Sequence, residues 1–127
     1  MQIETRKLTG TALIWAVARA LNLAPLIVDS RVAYKSDHGP WVHPNYTDDA
    51  EAVELMQQQW IGVERPSRGQ KTPVWQALTE SKMKPKPLQP VVSAFGVSIG
   101  IAVCRALVLS HFGDTIEIPD EVMAKIA

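Results

Sequence analysis

Two flat rings, Trp41 and Tyr46, stand in a polar stretch with His43, Asn45 and Asp48 interleaved among them. Indole and phenol rings offer broad apolar faces with a polar edge, and imidazole, amide and carboxylate groups beside them can orient a ligand. The chemistry such a set suits is stacking on a planar molecule with hydrogen bonds to its rim. The same residues also admit a packing role, in which the rings pin the segment to the core. Trp75 lies on a predicted strand, where it can face either the core or the same pocket. Ser98 and Arg105 fall in a long apolar run. A guanidinium there is costly unless it is paired or faces a pocket. Arg105 therefore either pairs with Asp114 or another carboxylate, or supplies the charge that meets a phosphate. The expected ligand-binding set is Trp41, His43, Asn45, Tyr46, Asp48, Trp75, Ser98 and Arg105.

Other combinations offer less. His38 and His43 share a segment with Asp37 and precede Asp48, but no paired helical spacing or cysteine partner accompanies them or His111, so no metal site is expected. Gly69-Gln70-Lys71-Thr72 echoes the end of a phosphate loop. The glycine required upstream is replaced by Glu64, and Pro73 follows where a helix would have to begin. No serine is read as a nucleophile elbow. Asp48, Asp49, Glu51 and Glu54 open a predicted helix, where its dipole accounts for them without acid–base work. Cys104, the sole cysteine, reads as a small buried hydrophobe in a reducing compartment. With no nucleophile or base in a partnered setting, the expectation is a non-enzymatic protein without a cofactor.

The elements that must hold these groups follow from periodicity and punctuation. Gln2 to Arg6 reads as a short strand. Leu13, Val17 and Leu21 recur every fourth residue, with Ile14 and Ala18 beside them, so Thr11 to Leu21 reads as an amphipathic helix capped by Thr9. Leu26 to Val28 and Val32 to Lys35 flank Asp29-Ser30 as a hairpin. Prolines, Gly39 and Asn45 make residues 36–47 a loop. Asp48 to Trp60 reads as a helix capped by Asp48 or Thr47, with Trp60, like Trp15, assigned to the core. Ile61 to Glu64 and Val74 to Leu78 read as strands, and Lys82 to Pro90 as an extended linker. An almost wholly apolar helix spans about Val97 to Phe112 and stops at Gly113. Gly96 and Gly100 permit close approach to it, within the domain or across a dimer. Ile116 and Ile118 alternate as a strand, and Pro119 opens a last helix over Asp120 to Lys125.

The expected fold is a single α+β domain over residues 1–127: a small mixed sheet of short strands packed on a long apolar C-terminal helix and an N-terminal amphipathic helix. Leu88 to Ser110 carries a single charge, Arg105, yet Pro90, Ser93, Gly96, Ser98 and Gly100 interrupt it. It reads as a buried central helix and not as a membrane span. Thirteen basic and thirteen acidic side chains cancel. Nucleic-acid binding is therefore not expected, since it draws on a surplus of cations. Zero net charge does little to prevent self-association, so a homo-oligomer is expected. Residues 37–64 hold six acids and no Lys or Arg, while residues 65–86 hold six bases and one acid. These read as two mutually attracting faces, or, at Arg65, Arg68 and Lys71, as a place to gather an anion.

Leu8-Thr9-Gly10-Thr11-Ala12-Leu13-Ile14-Trp15-Ala16-Val17-Ala18 resembles the opening motif of the NinX-like proteins of tailed phages. Gly96-Val97-Ser98, Ala102-Val103-Cys104-Arg105, Phe112-Gly113-Asp114 and the ending Glu117-Ile118-Pro119-Asp120-Glu121 are similar to that family's closing motif. Pro44-Asn45-Tyr46-Thr47-Asp48 is a looser match to its central loop. The resemblance brackets roughly residues 2–121 and implies a phage accessory protein of unknown function acting in the host cytoplasm, with no reaction attached. Three roles compete. The first is a sponge for a small planar anionic metabolite, such as a nucleotide-derived immune signal. The second is an adaptor or inhibitor of a host enzyme. The third is an accessory factor in phage DNA recombination or replication.

Overall fold

The computed structural model describes residues 1–37, 39–65 and 74–123. Along them run β1 (Gln2–Glu4), a 3-10 turn (Thr5–Lys7), α1 (Gly10–Ala20), β2 (Leu26–Val28), β3 (Arg31–Lys35), β4 (Trp41–Val42) and α2 (Asp49–Gln59). Then follow β5 (Gly62–Glu64), β6 (Trp75–Glu80), β7 (Val91–Gly96), α3 (Ile99–Phe112), β8 (Thr115–Glu117) and α4 (Asp120–Met123). The class is α+β, as expected. The expected single mixed sheet is replaced by three small antiparallel ones, β1–β8, β2–β3–β4 and β5–β6–β7. Antiparallel neighbours need only a turn, whereas parallel ones need a crossover of a dozen residues or more. Asp29 and Ser30 supply one such turn, at φ of 53° and 64°, the left-handed pair that two-residue hairpins require.

The centre is α3. Nine of its residues, from Gly100 to Ser110, are buried. It packs on β6 and β7 along one side and on α1 and α2 along others. α1 contributes Leu13 and Val17, both fully buried, together with Ala12, Ala16 and Ala18. Thr9 stands at its N-cap in extended conformation, although its side chain makes no capping hydrogen bond. Trp15 is half-buried against this core, with the Arg19 guanidinium 5.9 Å from its ring centroid. Trp60 is not a core residue. α2 ends there at a left-handed φ of 57°, and the indole is 86% exposed.

Sequence reasoning merged β7 into the apolar run. In the fold, Val91, Ser93 and Phe95 pair with Glu80, Leu78 and Gln76 on the outer sheet face, while Ala94 and Gly96 are buried toward α3. Gly96 is therefore at the end of a strand and not on the helix. A Cβ on it would lie 2.5 Å from the Ala102 amide nitrogen, so the strand can approach the helix this closely only without a side chain. Among the described residues, no helix is long and apolar enough to cross a membrane. The ion pairs among them join Arg6 to Asp114, Lys7 to Glu4, Lys86 to Glu80 and the N-terminal ammonium to Glu117 and Asp120, and none links the acidic segment to the basic one. Arg68, Lys71, the phosphate-loop echo at 69–72 and His38 lie outside the described residues.

His111, in the last turn of α3, has its Nε2 buried without a hydrogen-bond partner among the described residues. Burial holds its pKa below the usual 6.5, and the Lys82 charge acts in the same direction. The unfolded chain therefore binds this proton more readily than the folded one. The stability tied to a neutral His111 is complete above the unfolded pKa and is lost as pH falls through it. The melting temperature is expected to fall between neutral and mildly acid pH, with a shallower fall in His111→Gln. Equal slopes in the two proteins would contradict this assignment.

Candidate functional site

Tyr34 and Val42 are cross-strand partners in the β3–β4 pair, so their side chains share one face of that small sheet. Opposite them, Glu51, Glu54, Leu55 and Gln58 recur at the spacing of a single helix face on α2. Between the two lies a cleft of about 460 Å³, with Leu21 and Leu23 at the end of α1 and the segment His43, Pro44 and Tyr46 completing its walls. Its lining holds two carboxylates and, among the described residues, no Lys or Arg.

Tyr46 is the most constrained member. It is only 8% exposed, and its backbone oxygen accepts the Cys104 thiol hydrogen at 3.2 Å, which ties this loop to the middle of α3. Its phenol has no hydrogen-bond partner among the described residues. Burial, and then the nearby Tyr34 and Glu51, push its pKa well above the ordinary 10, so it stays a neutral O–H donor. Glu51 reaches back from the first turn of α2, and its Oε2 accepts the Asn45 amide hydrogen at 2.7 Å. Asp48 caps the same helix by accepting from the Ala50 amide at 3.1 Å. His43 Nδ1 lies 3.2 Å from the Val32 carbonyl. A carbonyl can only accept, so Nδ1 carries a proton, and in the tautomer with one ring proton Nε2 is left as an acceptor. His43, Pro44 and Asn45 also border a second hollow of about 280 Å³, which contains Arg31 and Thr11.

The expected set is thus divided. His43 and Tyr46 meet in the cleft, and Asn45 joins His43 in the second hollow. Trp41 precedes Val42 on β4, so its ring points to the opposite sheet face, where it is 42% exposed. Asp48 is occupied with capping. Trp75 is half-buried on the inner side of β6 opposite Gly96. Arg105 lines neither hollow. Its Nε donates to the Leu8 carbonyl and its Nη1 to the Phe95 carbonyl, each at 2.9 Å. Neither Asp114 nor a ligand is needed to account for it, since Asp114 pairs with Arg6. The two-ring-plus-guanidinium pocket is not formed. Tyr34, Glu51, Glu54 and Arg31 were missed, and the i, i+3, i+4, i+7 spacing from Glu51 to Gln58 was the signal for the helix face.

Ser98 requires a further correction. Gly96-Val97-Ser98-Ile99-Gly100 does have the Gly-x-Ser-x-Gly spacing of a nucleophile elbow, and it does join a strand to a helix. The geometry is that of an ordinary cap. Ser98 has an extended φ of −135°, and its Oγ accepts the Ile101 amide hydrogen at 3.2 Å. Gly100, whose amide donates to Asp49 Oδ1 at 3.0 Å, is needed for packing, because a Cβ there would sit 1.9 Å from the Thr47 carbonyl oxygen. Cys104 is buried, and burial, followed by the charge of Glu51, pushes its thiol up to about 12. Native protein is expected to be inert to a disulfide reagent at mildly alkaline pH and to react once unfolded. Prompt labelling of native protein would contradict this placement.

No family model matches the chain, and no curated protein does. Among solved structures, a phage protein from Bacillus cereus ATCC 14579 is similar, with a TM-score of 0.53 over 85% of this chain and 87% of that one, at 14% identity. At that identity the likeness is one of fold.

Proposed function

We propose that this chain is a phage accessory protein that binds a small planar molecule, without turning it over, in the cleft between Tyr34 and α2. The observation that carries this reading is Tyr46, a buried residue whose phenol makes no hydrogen bond among the described residues, at the wall of a concave site with polar groups on both sides. The phage setting is supported by the fold likeness to a phage protein. The charge of the site changes the ligand expected from sequence. A phosphate in the cleft would face Glu51 and Glu54, so a nucleotide-derived signal is disfavoured there, and an anionic substituent would have to reach Arg31 in the adjoining hollow. The test is a fragment screen followed by NMR. Binders should shift the resonances of Leu23, Tyr34 and Leu55. A screen in which no fragment moves them would remove this reading.

A second reading, a protein adaptor, draws on the outer face of the β5–β6–β7 sheet. Val91, Phe95 and the following Val97 are exposed there on an edge strand. A stoichiometric partner recovered from infected cells, and lost with Phe95→Lys, would favour it over the small-molecule reading.

A further inference from the structure

From the chemistry of the cleft we infer that its occupant is a flat organic cation of the amidinium or guanidinium kind. This inference rests on the small-molecule reading above and narrows it to one charge class.

Both charged groups that the cleft presents from α2 favour positive charge. Glu51 and Glu54 stand one turn apart on the same helix face, and Gln58 continues that face with an amide oxygen. One oxygen of Glu51 is engaged by the Asn45 amide, which fixes the carboxylate in place and leaves the other for a ligand. Across the cleft, the pairing of Tyr34 with Val42 places its ring on the cleft side of the sheet, and a delocalised cation is attracted to such a π-face. The uncharged form of the His43 ring offers Nε2 as an acceptor, because its Nδ1 proton is committed to Val32. The acids alone would be an ordinary solvated helix face. What sets this one apart is Tyr46, 8% exposed, with no partner for its phenol among the described residues and with Tyr34 and Glu51 as its near neighbours. A phenol so placed can lie against the ligand's edge and donate to an acceptor on it. The apolar remainder of the walls, Leu21, Leu23, Val42 and Leu55, suits a ring carrying the charged head. A planar head also fits better than a compact ammonium, because a flat fork of N–H donors can engage two oxygens at once.

The test uses three probes of nearly identical shape and different charge: benzamidine, benzamide and benzoate, titrated into the intact protein by NMR. Benzamidine is expected to bind at least about tenfold tighter than benzamide, with shifts at Leu23, Tyr34 and Leu55, and benzoate weaker still. Glu54→Gln, an exposed substitution that leaves the fold intact, should remove most of the preference for benzamidine over benzamide. Tyr46→Phe should weaken benzamidine severalfold without changing the melting temperature much. Equal or tighter binding of benzamide or benzoate in the cleft would overturn the cation assignment while leaving a small-molecule site in place. Failure of all three probes to move cleft resonances, when other fragments do so, would also overturn it. Silence from every fragment would overturn the underlying reading instead.

Discussion

Gly100→Ala is expected to destabilise the protein by at least about 3 kcal/mol, a fall in melting temperature of roughly 10 °C for a chain of this size. The added methyl would lie 1.9 Å from the Thr47 carbonyl oxygen and 2.5 Å from its carbon. These are backbone atoms and cannot rotate aside. Relief requires the start of α2 to move away from α3 by more than an ångström. Such a shift would break the hydrogen bond from the Gly100 amide to Asp49 and the thiol contact from Cys104 to Tyr46. Tyr46 and Glu51 are carried by the displaced segment, so molecules that still fold should also lose the cleft. Gly62→Ala is the control: nothing lies within 4 Å of a Cβ there, and its effect should stay within about 0.5 kcal/mol. Thermal melts that show Gly100→Ala as mild as Gly62→Ala would contradict the close contact between α3 and the Thr47 backbone.

Arg105→Met carries the second large effect, about 2 kcal/mol of lost stability. The substitution keeps the apolar stem and removes the fork that holds the Leu8 and Phe95 carbonyls together. The Leu8 bond should dominate, because it is partly buried, whereas the Phe95 bond is exposed to water. The guanidinium tolerates its surroundings through these acceptors even though burial lowers its pKa. Lysine, with a single head, can serve only one of two separated carbonyls, so Arg105→Lys should fall between wild type and Met. Binding in the cleft is expected to be unchanged in every folded variant, since Arg105 lines no part of it. Loss of ligand affinity at full stability would instead place Arg105 in a binding site and contradict its structural role.

Arg105 also shows where sequence reasoning stops. A lone cation in an apolar run must have partners, and that much is legible. Its partners are backbone carbonyls from a segment 97 residues away and from β7, and backbone groups carry no sequence signature. Helices with marked edges were legible: Asp48 caps α2 and Gly113 ends α3 as their residue types suggest. β7 was not, because Val91 to Gly96 continues into α3 as one apolar stretch, and periodicity cannot separate a buried strand from a buried helix. For the site, His43 and Tyr46 were visible because prolines isolate their loop. Glu51 and Glu54 were visible too, but they were attributed wholly to the helix dipole. Only the fold, which sets that helix face across from Tyr34, gives them a common ligand to meet. Trp41 and Trp60, the most conspicuous side chains in the sequence, point away from the cleft or into solvent.

The central claim is that the hollow between Tyr34 and the Glu51–Gln58 face of α2 is a binding site. The most direct measurement is the structure of the protein soaked with benzamidine. The account predicts density for the ring against Tyr34 and Leu55, with the amidinium toward Glu51 and Glu54. Density at the exposed Phe95 face alone, with the cleft filled by ordinary solvent at saturating probe, would contradict it.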